Sequence, residues 1–205
     1  MKTCKNKDCQ NTFNPVTRLQ RDCFECVLSK AKIKTIKDKD KEWKVRKRAL
    51  KDKTKKLSDY KAELQDEINK IARLIDHEQV CISCQKIPKK KNGCHFHSVG
   101  STPALRFNLL NVYLGCEKCN SELGGNVHGY IDGLILTFGK EYYEFLKFEL
   151  PQKYRILQIS KDELIEKIKI CRELVRNLET DLVKLESEDR IAIRHLINDR
   201  IGIYV

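Results

Sequence analysis

Apolar positions between residues 50 and 75 recur at a helical period. Leu50, Leu57, Leu64 and Ile71 stand seven apart, with Ile68 and Ile75 filling in on the same side. No Gly or Pro interrupts this stretch. The spacing predicts a long helix from about Asp40 to Ile75, beginning as a lysine-rich rod and becoming amphipathic. A second periodic run, Leu164, Ile168, Cys171, Val175, Leu178, Leu182 and Leu185, alternates spacings of four and three. That is an a/d seam over three heptads, again free of Gly and Pro. Its partner is either the 57–75 helix of its own chain or another subunit, and the spacing fits both. Cys171 lies on the seam and reads as a small core residue. Between the two runs, Tyr130 to Phe148 reads as a turn or short strand at Ile131–Leu134, then a short aromatic helix from Glu141 to Phe148 that Pro151 ends. No run of eighteen apolar residues exists, so no transmembrane helix and no membrane partner are expected.

Charge changes the picture in one place. The 205 residues carry 41 Lys and Arg against 29 Asp and Glu, a formal charge of +12. Residues 30–61 hold fifteen basic and five acidic side chains, whereas residues 62–205 are balanced at 21 each. The excess therefore sits on the predicted rod. A phosphate-tracking surface including Lys44, Arg46, Lys47, Arg48 and Lys51 is one reading, and binding through it should weaken steeply with salt. A solvated helix or linker is the plainer one.

The ten cysteines sharpen the chemistry. The N-terminus, MKTCKNKDCQ, lacks the apolar core of a signal peptide, so a reducing cytoplasm is expected and disulfides are not. Eight cysteines form two sets of four: Cys4, Cys9, Cys23 and Cys26, then Cys81, Cys84, Cys116 and Cys119. Paired short spacings let two thiolates at a time chelate one ion, and two such pairs complete a tetrahedron, so two structural Zn²⁺ ions are expected. Residues 1–29 are too few to bury a core alone, and a structural metal supplies that stability. This module has no His or clustered carboxylate, so its role is to bind or to position.

The second set brackets CHFHSVGSTPALRFNLLNVYLGCEKCNSELGGN, with Cys94-His95-Phe96-His97, Asn111 and Cys119-Asn120 in that order. This resembles the HNH (ββα-metal) nucleases in the zinc-stapled form of phage endonuclease VII. There, a knuckle, a hairpin carrying the His, an Asn, and a second knuckle followed at once by Asn or His come in the same order. CKNKDC, the lysine-rich stretch, CISC, HFHSVGSTPALRFN, CEKCN and SELGGN also follow one another as in the NinG/Rap recombination proteins of lambdoid phages, over nearly the whole chain. That resemblance implies a structure-specific endonuclease acting on Holliday junctions and D-loops in a phage-infected bacterial cytoplasm.

Phosphodiester hydrolysis needs an activated water, a cation on the phosphate and leaving oxygens, and in-line placement. A neutral imidazole is a good base near pH 7. His95, matching the motif His, is the candidate general base, and Asn120 would give its oxygen to a catalytic Mg²⁺, with Mn²⁺ as a substitute. Asn111 would pin the hairpin or orient His95. His97, two residues on in a strand, would share the face of His95 and serve as a metal ligand or a phosphate contact. Glu122 and Asn126 follow the knuckle as further ligand candidates. Arg106 is either a phosphate contact or an ordinary surface residue. One departure is plain: Cys94 stands where the endonuclease VII pattern has an acidic ligand, and a thiolate is a soft, poor Mg²⁺ ligand. His97 or Glu122 would compensate. Cys94 as a zinc ligand, and His95 as a zinc ligand or core histidine, are the competing readings.

The expected architecture is α+β, mostly α: a zinc module (1–29), a long basic helix (30–78), a zinc-stapled HNH-like core (79–130) and a C-terminal helical region (131–205). The expected function is metal-dependent cleavage of branched DNA by a homodimer, since symmetric nicking needs two sites about a two-fold axis. No small-molecule substrate is expected. The alternative is a non-catalytic, zinc-dependent nucleic-acid-binding recombination accessory protein. A sequence-specific or nonspecific HNH nuclease is a third reading; for the specific form no helix-turn-helix or C2H2 finger is visible, and the N-terminal zinc knuckle is the one candidate reader.

Overall fold

The computed structural model describes residues 1–180 and 182–204, apart from the side chains of Lys51 and Asp52. The chain divides into two compact units, residues 1–55 and 56–205.

In the first unit, two-residue strands β1 (Lys2–Thr3) and β2 (Thr12–Phe13) pair antiparallel, Lys2 opposite Phe13. They lead into helix α1 (Phe24–Thr54). Its core consists of Cys4, Cys23 and Cys26, with Cys9 and Phe13 against them. Past Cys26 the described side chains of α1 are exposed, including Ile33, Ile36, Trp43, Val45 and Leu50. The expected start near Asp40 is therefore wrong by more than four turns. With no buried face there is no periodicity to read, and the lysine-rich composition carries the helix by propensity.

The single helix from Asp40 to Ile75 is also corrected. Lys55 and Lys56 are extended, with ψ of 126° and 165°, and a separate helix α2 (Leu57–Ile75) follows. The Asp59 carboxylate accepts the Lys56 N–H at 2.8 Å, closing the new N-terminus. Leu57 is exposed, and the buried stripe runs through Tyr60, Leu64, Ile68, Ile71, Ala72 and Ile75.

Beyond α2 come strand β3 (Lys91–His95), two short 3-10 turns (Pro103–Leu105 and Leu109–Asn111) and strand β4 (Val112–Cys116). The strands pair antiparallel from Lys91 opposite Cys116 to His95 opposite Val112. A π turn (Lys118–Glu122) and helix α3 (Val127–Phe138) follow. Ile131–Leu134 is thus helix, not a turn or strand; Gly133 is tolerated because α3 packs there on the Ile82 carbonyl, 1.7 Å from where a Cβ would stand. Next come α4 (Lys140–Glu144), a π turn (Phe145–Glu149) and α5 (Leu150–Lys153). Pro151 does not end the helix. The π turn widens the preceding turn, and Pro151 then sits in the first turn of α5, where its missing N–H is not needed.

Helix α6 (Lys161–Thr180) carries the second seam, and α7 (Ser187–Ile201) closes the fold. Leu164, Ile168, Cys171 and Val175 bury against the α2 stripe, with Phe107, Leu109, Val112, Ile197, Ile201 and Tyr204 in the same cluster. The seam's partner is the chain's own α2. Arg172 bonds Glu63 and Glu67, and Lys70 bonds Glu179, so the two helices run parallel. The seam is shorter than its spacing suggested: α6 ends at Thr180, and Leu182 is 42% exposed.

One buried polar cluster joins α2, β4 and α7. Asp76 and Arg194 are wholly buried and Arg190 nearly so. Arg194 Nη2 donates to both Asp76 oxygens at 2.7 and 2.8 Å, and Arg190 Nε donates at 2.9 Å. The Leu114 N–H also donates to Asp76, at 2.8 Å. Burial alone would raise the Asp76 pKa, but the two guanidinium groups hold it below its ordinary value. Each guanidinium lies over a ring, Arg194 over Tyr113 and Arg190 over Phe138. No described helix is long and apolar enough to cross a membrane.

Candidate functional site

Two four-cysteine clusters form, each with its sulfurs within 4.8 Å of one another. A tetrahedral Zn²⁺ with ~2.3 Å bonds sets its sulfurs about 3.8 Å apart. Cys9 and Cys23 lie at 3.7 Å, and Cys84 and Cys116 at 3.9 Å. Both clusters are therefore fit to hold zinc. Backbone amides support the thiolates. The Cys23 N–H donates to Cys4 Sγ at 3.3 Å and is the main cause that brings the Cys4 thiol down to about 7. In the second cluster the Cys116 N–H donates to Cys81 Sγ at 3.2 Å, and the Cys119 N–H to Cys116 Sγ at 3.4 Å. Gln85 takes a left-handed φ of 55° just past Cys84, turning the knuckle so that its N–H reaches the Cys81 carbonyl.

The second cluster fixes what surrounds it. Cys116 ends β4, and Cys119 lies in the π turn that carries Asn120. Asn126, with a left-handed φ of 45°, starts α3, and its amide donates to Cys119 Sγ at 3.6 Å and to the Ser83 carbonyl at 3.4 Å. Asn126 thus braces the knuckle. Gly129 and Gly133 lay α3 directly on the knuckle carbonyls of Ser83 and Ile82.

A cleft of about 280 Å³ opens beside this support, lined by His95, Phe96, Ser98, Asn120, Gly125 and Tyr130 among others. His95 ends β3 and is half-buried. Its Nε2 lies 3.0 Å from the Arg106 carbonyl. A carbonyl only accepts, so Nε2 carries the proton and Nδ1 holds the free lone pair in the neutral ring. Burial lowers the pKa of His95, which keeps the ring neutral at pH 7.

Other sequence-predicted residues fall elsewhere. The strand stops at His95, so His97 lies outside it and does not line the cleft. Its Nε2 is 2.8 Å from the Leu146 carbonyl. In the π turn the Leu150 N–H reaches the Phe145 carbonyl, and Pro151, next in line, has no N–H to offer Leu146. Asn111 is wholly buried. Its oxygen accepts the His97 N–H at 2.7 Å, and its amide donates to the His97 and Leu105 carbonyls at 3.0 and 3.2 Å. It pins the 97–105 loop to the hairpin. Glu122 lines a separate surface depression with Lys86 and Lys118. Cys94 is buried among Ile82, Tyr113 and Tyr130, and burial pushes its thiol up to about 12. It belongs to neither sulfur cluster, which leaves it an apolar core residue. Arg106 donates from Nε to Gln65 Oε1 at 3.3 Å. Lys44, Arg46, Lys47 and Arg48 are exposed along α1, and the Lys51 side chain lies outside the described residues.

Sequence reasoning missed Tyr130, whose hydroxyl donates to the Cys94 carbonyl at 2.8 Å and holds the strand just before His95. It also missed Asp76, Arg190 and Arg194. A lone Asp and two Arg far apart in sequence carry no local signal.

No solved structure matches the chain. Among curated proteins, it is 28% identical to the protein ninG of Escherichia phage lambda, over 67% of this chain and 76% of that one. It is 27% identical to the protein ninG of Salmonella phage P22, over 78% of this chain and 95% of the relative. Residues 1–181, spanning both cysteine clusters, the hairpin and α6, match the family described as bacteriophage lambda NinG protein, and the chain therefore belongs to the NinG family.

Proposed function

We propose that this protein is a metal-dependent endonuclease that cuts branched DNA, with His95 as the general base. The observation that carries the reading is the His95 cleft. A neutral imidazole with Nε2 tied to a backbone carbonyl, its free lone pair on Nδ1, lines a space also lined by Asn120. The hairpin, π turn and α3 follow one another in the order expected of a ββα-metal site, and the second cysteine cluster holds that order rigid.

Asn120 and Ser98 offer hard oxygens along the cleft. Such a set suits a Mg²⁺ ion that takes few protein donors and completes its shell with water and phosphate, and Mn²⁺ would fit the same donors. When bound, the ion would stabilise charge on the phosphate and the leaving oxygen. His95 would draw the proton from the attacking water through Nδ1. Asn111 and Tyr130 would keep the strand end and loop in register. The exposed cations of α1 would hold DNA arms through phosphates, which conveys shape rather than sequence. A homodimer would supply the two sites that paired nicks need.

A second reading has its own support. Among the described residues lining the cleft there is no carboxylate, and Cys94 is buried and protonated. A DNA-binding recombination accessory protein without hydrolysis fits that donor set. The two are separated by incubating zinc-loaded protein with an end-labelled four-way junction and the matching linear duplex in Mg²⁺ or Mn²⁺. Paired nicks near the branch with the duplex spared are expected. Binding without cutting in either metal would favour the accessory reading.

A further inference from the structure

A further cavity, of about 310 Å³, shares Val99 with the His95 cleft. Three cations from three separate segments line it: Lys61 from α2, Arg106 from the loop, and Arg155 from the segment after α5. No carboxylate is among the described residues lining it, and the rest of its lining is apolar: Val99, Pro103, Ala104, Leu157 and the exposed Ile156. Arg106 is half-buried, yet the partners of its guanidinium are the Gln65 side chain and the Lys61 carbonyl, both neutral. Arg155 bonds only the Gln152 carbonyl, and none of the three cations forms an ion pair among the described residues. Elsewhere in this unit a buried arginine is matched by acid, as Arg194 is by Asp76.

The cavity is tied to the candidate base by two residues. Val99 lines both spaces, and Arg106, whose guanidinium lines this one, holds His95 Nε2 through its carbonyl.

We infer that Lys61, Arg106 and Arg155 form a binding site for a backbone phosphate of DNA flanking the position presented to His95. This rests on the endonuclease reading for the placement of the strand, but not for the existence of the site. A half-buried guanidinium without an acid is undercompensated, and a phosphate supplies the missing charge with oxygens that match its paired donors. Because the Arg106 backbone holds His95, a strand seated here is registered against the base. Arg106 acts on the reaction as a positioning residue through two bonds, one to each partner.

The test uses the full zinc-loaded protein and a fluorescein-labelled four-way junction in a buffer without Mg²⁺. Binding is measured against salt for the parent, Lys61→Gln/Arg155→Gln and Arg155→Lys. Losing two of the three cations on that phosphate should lower the slope of log affinity against log salt by about 1. Arg155→Lys should recover most of the affinity, since the charge is kept. A junction series with one neutral methylphosphonate at a time then locates the contact. One linkage should weaken the parent strongly and the double variant, which keeps only Arg106 there, much less. An unchanged slope in a protein that binds the junction would overturn the site while leaving the endonuclease reading intact. A lowered slope in a protein that never cuts would keep the site and remove the endonuclease reading. Displacement of the junction by millimolar inorganic phosphate, with no sensitive linkage in the scan, would assign the cavity to a small free anion and overturn the proposal.

Discussion

The two cysteine clusters use the same donors in opposite circumstances. In residues 1–55 the cluster is the core: apart from its four cysteines, Phe13 is the only apolar side chain among the described residues that packs there, and α1 runs on past Cys26 with its apolar side chains exposed. In residues 56–205 the cluster sits beside two apolar cores and the buried Asp76–Arg190–Arg194 group. The first metal would therefore create a fold, whereas the second would aim one. That second role matters because β4, the Asn120 turn and α3 all meet at Cys116, Cys119 and Asn126.

Metal removal should separate the two most strongly. Structural zinc contributes on the order of 10 kcal/mol to a site of this kind. Cys23→Ser should leave residues 1–23 without amide protection in hydrogen exchange while α2 and α6 keep theirs. Cys119→Ser should loosen the segment from Cys81 to Asn126 and again spare α2 and α6. Equal loss throughout the chain in both variants would erase the contrast.

The next largest effect lies in the buried ion group. Arg194→Ala leaves Asp76 short of its main partner, and breaking a buried pair costs about 3–5 kcal/mol. Denaturant unfolding of the 56–205 unit should show it, with the first unit unaffected.

Asp76 also sets an acid limb. Its folded pKa lies below its unfolded one, so its contribution is complete above the unfolded value and is lost as pH falls through the folded value. Stability measured downward from about pH 5 should therefore fall, in the window below the ordinary carboxylate value near 3.9, less steeply in Asp76→Asn than in the parent. Parallel curves would place the acid sensitivity elsewhere.

The smallest effect is at the surface. Arg172 bridges Glu63 and Glu67 from a side chain that is 45% exposed. Arg172→Ala should cost no more than about 1 kcal/mol, because solvent screens the pair.

The same contrast explains what could be read from the chain. Short cysteine spacings announce both clusters, since two thiolates a turn apart have few other uses. The α2 and α6 stripes were legible because both bury one face. The helix from Phe24 was not, because among its described residues past Cys26 no side chain is buried, and neither was the break at Lys55–Lys56, which depends on one carboxylate closing a helix end. In the candidate site, His95 and Asn120 do line one cleft. His97 leaves it for a carbonyl freed by a proline 54 residues away in sequence, a relation no local pattern carries. Cys94, next to the base, turns into the apolar core, as alternation along β3 requires of the neighbour of a cleft-facing residue.

The most direct measurement compares His95→Ala with the parent on the same end-labelled four-way junction in Mg²⁺, scoring cleavage and binding in parallel. The account predicts that the parent nicks the junction, and that the variant binds with unchanged affinity and does not cut. Equal cleavage by the two proteins, or none by the parent in either Mg²⁺ or Mn²⁺ while it still binds, would contradict it.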